Sequence, residues 1–299
     1  MDTHKGEVKN RDPQITEARL AREALNMDIT RASQGDVEAA AGILSKLAGE
    51  DRRAQAIITS AVLTVADPAL WEYLLEFACS GTWAGKSVDL PDSISQRILR
   101  PKLASLFLAR QDGPSAASRY DVLIRGLSSR EACVRHFALD LLGQWPSRVD
   151  LESLIPLLHD PDMGVRLRAA RALGKTGDAR AVPALIDALG HSDDLIAGEA
   201  TDALALIGEA ALEPLIRALQ VHDPYVRWHA AKALAEMADP RAAGALIDAL
   251  DDQNFGVRWT AANGLVALGR QALAPLLRAL RIKETTPWLA EAAIHVLKN

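Results

Sequence analysis

Cysteine is nearly absent from this chain. Cys79 and Cys133 are the only two in 299 residues, too few for a disulfide framework, and such scarcity points to a reducing compartment. Aromatic residues are also few, at 4%, so helices here must pack mainly through alanine and leucine, both good helix formers. No stretch reaches 18 uninterrupted apolar residues, which excludes an ordinary membrane-spanning helix. The opening Met1-Asp2-Thr3-His4-Lys5-Gly6 lacks the apolar core of a secretory signal, and a cytoplasmic location is expected.

A basic excess is missing as well. Lysine and arginine total 34 against 39 acidic residues, a net charge of −5. The balance is even along the chain, with 14 basic and 16 acidic residues over 1–117 and 20 and 23 over 118–299. A surface that tracks phosphates needs more positive charge than this, so nucleic-acid binding ranks low. The seven histidines show no metal-ligand spacing with cysteine or acid support on one helix face. No serine or cysteine sits in a nucleophile motif. Ser80 to Ser87 imitates the end of a phosphate-binding loop but fails on glycine spacing, on the missing strand before it, and on Pro91 where the helix should run. It reads as a connector, with Trp83 packing back on the helices. No metal, cofactor or catalytic residue is expected.

The chain does have a repeat. Val134, Val165, Ile196, Val226, Val257 and Trp288 recur at spacings of 31, 31, 30, 31 and 31 residues. A period of this length denotes stacked helix pairs, each unable to bury its apolar face alone. Counting the recurring residue as position zero, position +4 is alanine in all six copies: Ala138, Ala169, Ala200, Ala230, Ala261 and Ala292. Positions 0, +4, +7, +8 and +11 share one helix face, which is the expected core. The invariant alanine implies helices too close for bulk. The expected fold is all-α, a right-handed α-solenoid of stacked antiparallel helix pairs. Residues 1–12 read as a flexible N-terminus, 13–117 as a divergent helical part, and 118–299 as six regular pairs.

The run Asp160-Pro161-Asp162, Val165-Arg166, Ala169-Ala170-Arg171-Ala172-Leu173-Gly174 and its copies resemble the HEAT-repeat family, specifically the short bacterial repeats also found in phycobilin lyases. The resemblance covers about residues 118–299 and implies the fold far more than an activity. The absence of a His-Glu dipeptide separates the chain from HEAT-repeat di-iron hydroxylases.

Arg135, Arg166, Arg227 and Arg258 follow position zero in four copies. A phosphate ladder is one reading. Nearby acids such as Asp162 and Asp223 at i,i+4 spacing favour a structural one. Positions +2 and +6 point away from the core. Position +2 carries His136, Leu167, Trp228 and Trp259, and position +6 carries Arg171, Lys232 and Asn263. In HEAT solenoids the second helices line the concave side, so these seven residues are the expected partner-binding surface, anchored by the two tryptophans.

The leading functional expectation is a non-catalytic scaffold or adaptor that binds an unidentified protein partner. The alternative, implied by the resemblance, is a bilin lyase or chaperone in which the tryptophans hold a tetrapyrrole and Arg171 and Lys232 meet its propionates. Nucleic-acid binding comes third.

Overall fold

The computed structural model describes residues 13–49, 51–90, 96–109, 115–145, 150–282 and 286–298. In the sequence Pro91 reads as a helix start and Thr285 as a cap; both, like the expected flexible segment 1–12, lie outside these residues. The described residues form helices throughout, apart from one two-stranded hairpin. They divide into two compact units, 1–141 and 142–299.

The first unit holds α1 (Pro13–Ser33), α2 (Val37–Ala48), α3 (Arg52–Leu63), α4 (Pro68–Ser80), α5 (Gln96–Leu108), α6 (Ala116–Gly126) and nearly all of α7 (Ala132–Leu142). Asp36, Asp51 and Asp67 each accept backbone N–H bonds at a helix start, satisfying donors that the helix itself cannot. Between α4 and α5 the expected connector is a small hairpin, β1 (Thr82–Trp83) paired with β2 (Lys86–Ser87). Glu76 orders it, accepting from Thr82 Oγ1 at 2.6 Å and from the Gly85 amide at 2.9 Å. Trp83 is fully buried and donates its indole N–H to Ala32 O at 3.0 Å.

The second unit is an α-solenoid. Its first-row helices are α8 (Leu151–Leu154), α10 (Val182–Ala188), α12 (Glu209–Ala218), α14 (Ala243–Ala249) and α16 (Arg270–Ile282). The second row is α9 (Met163–Thr176), α11 (Asp194–Ile207), α13 (Pro224–Met237), α15 (Phe255–Leu268) and α17 (Pro287–Lys298). Each second-row helix packs on the next, α9 on α11, α11 on α13, α13 on α15 and α15 on α17. The +4 alanines from Ala138 to Ala261 are fully buried, as the repeat predicts. The approach is close enough that a Cβ on Gly174 would come within 2.7 Å of Ala203 Cα.

The last repeat departs from the pattern. Trp288, at the position expected to be core, is 47% exposed, while its neighbour Leu289 is buried. Helix α17 packs on α15 and turns Leu289, Ala293 and Val296 inward. The core register of the earlier repeats is not kept there.

Candidate functional site

The arginines that follow position zero have a regular structural task. Arg135 Nη1 donates to the carbonyls of Ser129 and Arg130, Arg166 to Asp160 and Pro161, Arg227 to Val221 and His222, and Arg258 to Asp252 and Gln253. Each guanidinium clamps the turn before its own helix. Arg227 also forms a sheltered pair with Asp252, at 2.6 Å. These bonds account for the series, and Asp223 adds a weaker electrostatic pull on Arg227.

The seven residues expected at the binding surface fall as follows. His136 is half-buried and belongs to the first unit; the other six belong to the second. Leu167 is half-buried. Arg171, largely exposed, makes a two-pronged ion pair with Glu199 on the next helix of the row. Lys232 lies 3.7 Å from Asp202 and 3.6 Å from Glu236. The two cations therefore already face carboxylates, and exposed pairs of this kind hold with only a few tenths of a kcal/mol, about 0–1.

Trp228 and Trp259 differ in setting. Trp228 is half-buried, with ring centroids of Tyr225 at 6.2 Å and His229 at 4.6 Å. It also lies against α15, where a Cβ on Gly256 would sit 3.5 Å from Trp228 Cδ1. This ring is largely a packing element of the α13–α15 seam. Trp259 is 49% exposed. Its ring stacks on Phe255 at 6.3 Å and 18°, and His295 of α17 lies 4.8 Å away on a tilted plane. His295 Nε2 and Asn263 Oδ1 are 3.3 Å apart. Arg258 extends the group, its guanidinium carbon 5.7 Å from the Phe255 centroid and 4.4 Å from that of Trp288. Cation–π contacts of this kind hold a guanidinium over the negative face of an aromatic ring.

Trp259 and Asn263, expected at the binding surface, lie in one group with Phe255, Arg258, His295 and Trp288, which the sequence pattern does not join to them. Phe255 was legible as the residue one turn before Trp259. His295 was not, since it comes from another helix 36 residues on. Among the described residues no group of three or more His, Cys, Asp or Glu could hold a metal ion, and no helix is long and apolar enough to cross a membrane.

The fold and this face define a helical-repeat protein whose last second-row helices carry exposed aromatic residues. A family model for HEAT repeats matches residues 120–205, 182–256 and 212–298. The bilin biosynthesis protein PecE of Mastigocladus laminosus is 30% identical over 201 residues, 53% of this chain and 75% of PecE. The phycocyanin alpha phycocyanobilin lyase CpcF of Synechocystis is 36% identical over 126 residues, 42% of this chain and 59% of CpcF. A solved HEAT-like repeats protein from Thermococcus onnurineus NA1 aligns with a TM-score of 0.47 and 16% identity, over 76% of this chain and 95% of that one. The chain belongs to the HEAT-repeat family, in the HEAT-like form shared with phycobilin lyases.

Proposed function

We propose that this protein handles a linear tetrapyrrole, binding a bilin and presenting it to the thiol of an acceptor protein, as a bilin lyase or chaperone. The alignment with PecE over three-quarters of that protein's length carries the reading. Two phycocyanobilin lyase beta subunits, 34% and 35% identical over 117 and 100 residues, support it. This reverses the order the sequence suggested, where a scaffold without chemistry came first. The scaffold reading survives in coarser form, because delivery to an acceptor requires a protein partner.

The chain's own groups suit delivery better than capture. Cys79 Sγ donates to the Cys133 carbonyl at 3.2 Å, and burial pushes the Cys79 thiol up to about 12. A thiol held neutral is a poor nucleophile. In this reading the covalent step belongs to the acceptor's cysteine, adding across a conjugated double bond of the bilin. The S–H bond breaks, an S–C bond forms, and the proton ends on a bilin carbon, with no redox partner needed. What this chain supplies is a flat apolar surface and orientation, which raise the effective concentration of the two reactants.

The test is to mix the protein with phycocyanobilin and apo-phycocyanin α subunit. A shifted visible band on mixing, and more acid-stable chromophore on the acceptor than without the protein, are expected. An unchanged spectrum and an unchanged yield of adduct would reject the reading.

A further inference from the structure

We infer that the shelf formed by Phe255 and Trp259, with His295 at one end and Arg258 at the other, seats one end of the tetrapyrrole and takes a propionate on Arg258. This rests on the bilin reading above and moves its centre. The sequence pointed to Trp228 with Arg171 and Lys232. The structure favours a position one repeat further along.

Exposure comes first. Phe255, Trp259 and Trp288 are exposed at 68%, 49% and 47%. Among the described residues, the other phenylalanine and tryptophan rings are buried, apart from half-buried Trp228. Large aromatic rings left in water and grouped together are the sign of a surface that meets something apolar. Here all three occupy two neighbouring helices, α15 and α17.

Geometry comes next. Phe255 and Trp259 sit one helical turn apart, their rings stacked at 6.3 Å with an 18° interplanar angle, so that together they leave an exposed aromatic pair. His295 continues it at 4.8 Å from Trp259, held by Asn263. Conjugated pyrrole rings are flat and of similar size, and offset stacking on such a surface is the preferred arrangement. Trp228 offers less, since its ring already lies against Gly256, Tyr225 and His229.

Charge decides between ligands. Residues 254–299 contain six basic and two acidic residues, against −5 for the whole chain. Arg227 is locked to Asp252. Arg258, its counterpart one repeat on, bonds backbone carbonyls and lies between two rings. Asp252, whose carboxylate is bonded to Arg227, also feels the charge of Arg258, and an incoming anion would share that charge. A planar conjugated molecule that carries carboxylates matches both the rings and the cation. A neutral apolar molecule matches the rings alone.

The experiment titrates biliverdin, a linear tetrapyrrole dicarboxylate, into the full chain, following visible absorption and tryptophan quenching. Trp259→Ala and Phe255→Ala are each expected to weaken binding about tenfold, and Trp259→Phe by less than about threefold. Biliverdin dimethyl ester is expected to bind wild type about tenfold more weakly than the free acid. Phe255 is so exposed that its alanine variant keeps the fold, which circular dichroism confirms. Unchanged affinity in both alanine variants, or equal affinity for acid and ester, overturns the shelf while leaving the bilin reading standing. Wild type that binds neither biliverdin nor phycocyanobilin overturns both.

Discussion

Thr201 Oγ1 donates to Ala197 O at 2.8 Å and lies 2.8 Å from His229 Nδ1. With its proton committed to the carbonyl, the hydroxyl must accept from Nδ1–H, which fixes the tautomer. His229 Nε2 is then a bare nitrogen, buried and without a partner among the described residues. Burial, with Lys232 second, pushes the imidazole down to about 4, against smaller opposing pulls from Asp194 and Asp202. The folded value lies below the unfolded one, so the unfolded chain binds more protons between about pH 6.5 and 4. Stability is full above that window and falls as the pH drops through it, by up to about 3 kcal/mol. Urea midpoints of wild type and His229→Leu at pH 7 and pH 4 check this, and the fall should be smaller in the variant. Ala230, next in the chain, is fully buried. Ala230→Leu should cost about 1–3 kcal/mol through overpacking, and a midpoint unchanged within error would mean the seam has slack. The alanine was legible because six copies agree. The histidine was not, although its partner leaves a trace: Thr201 occupies position +5, where the other copies carry leucine or alanine.

At the scale of elements, starts were easier to read than ends and contacts. Asp36, Asp51, Asp67, Asp162, Asp193, Asp223 and Asn254 each cap a helix start, and such residues are legible because an N-cap needs only the local chain. The hairpin at Thr82 escaped, since its order comes from Glu76 and from Ala32, both outside the segment. Arg119 escaped for the same reason. It is fully buried on α6, and its Nη1 donates at 2.8 Å to both Leu106 O and Phe107 O, while Nε donates to Ser115 O at 3.3 Å. It therefore closes the C-terminal end of α5, where carbonyls have no helical partner. Arg119→Met keeps the bulk and removes the donors, and should cost about 2–4 kcal/mol. A urea melt reads the change, and a loss under about 0.5 kcal/mol would mean that other donors replace the guanidinium.

For the whole molecule, the period of about 31 residues made the stacked architecture of 142–299 legible, because nearest-neighbour packing imposes the same buried positions on every copy. It could not reveal the aromatic shelf, which joins residues of two repeats at positions the core leaves unconstrained. It also misjudged Trp288, since in α17 the next residue, Leu289, takes the buried place. The same nearest-neighbour logic governs truncation. Removing residues 283–299 takes away α17, a helix of 12 residues that packs on α15. In a solenoid the loss stays local. The far-ultraviolet signal should fall by about the share of one helix, and the remaining helices should melt cooperatively at a lower midpoint. Tetrapyrrole binding should weaken at the same time, because His295 and Trp288 leave with α17 while Phe255, Arg258 and Trp259 stay. A truncated chain that keeps its helices and still binds biliverdin like wild type would place the ligand elsewhere on the array. Collapse of the entire helical signal would instead show that α17 closes a single cooperative core, and that stability here is not a sum over neighbouring repeats.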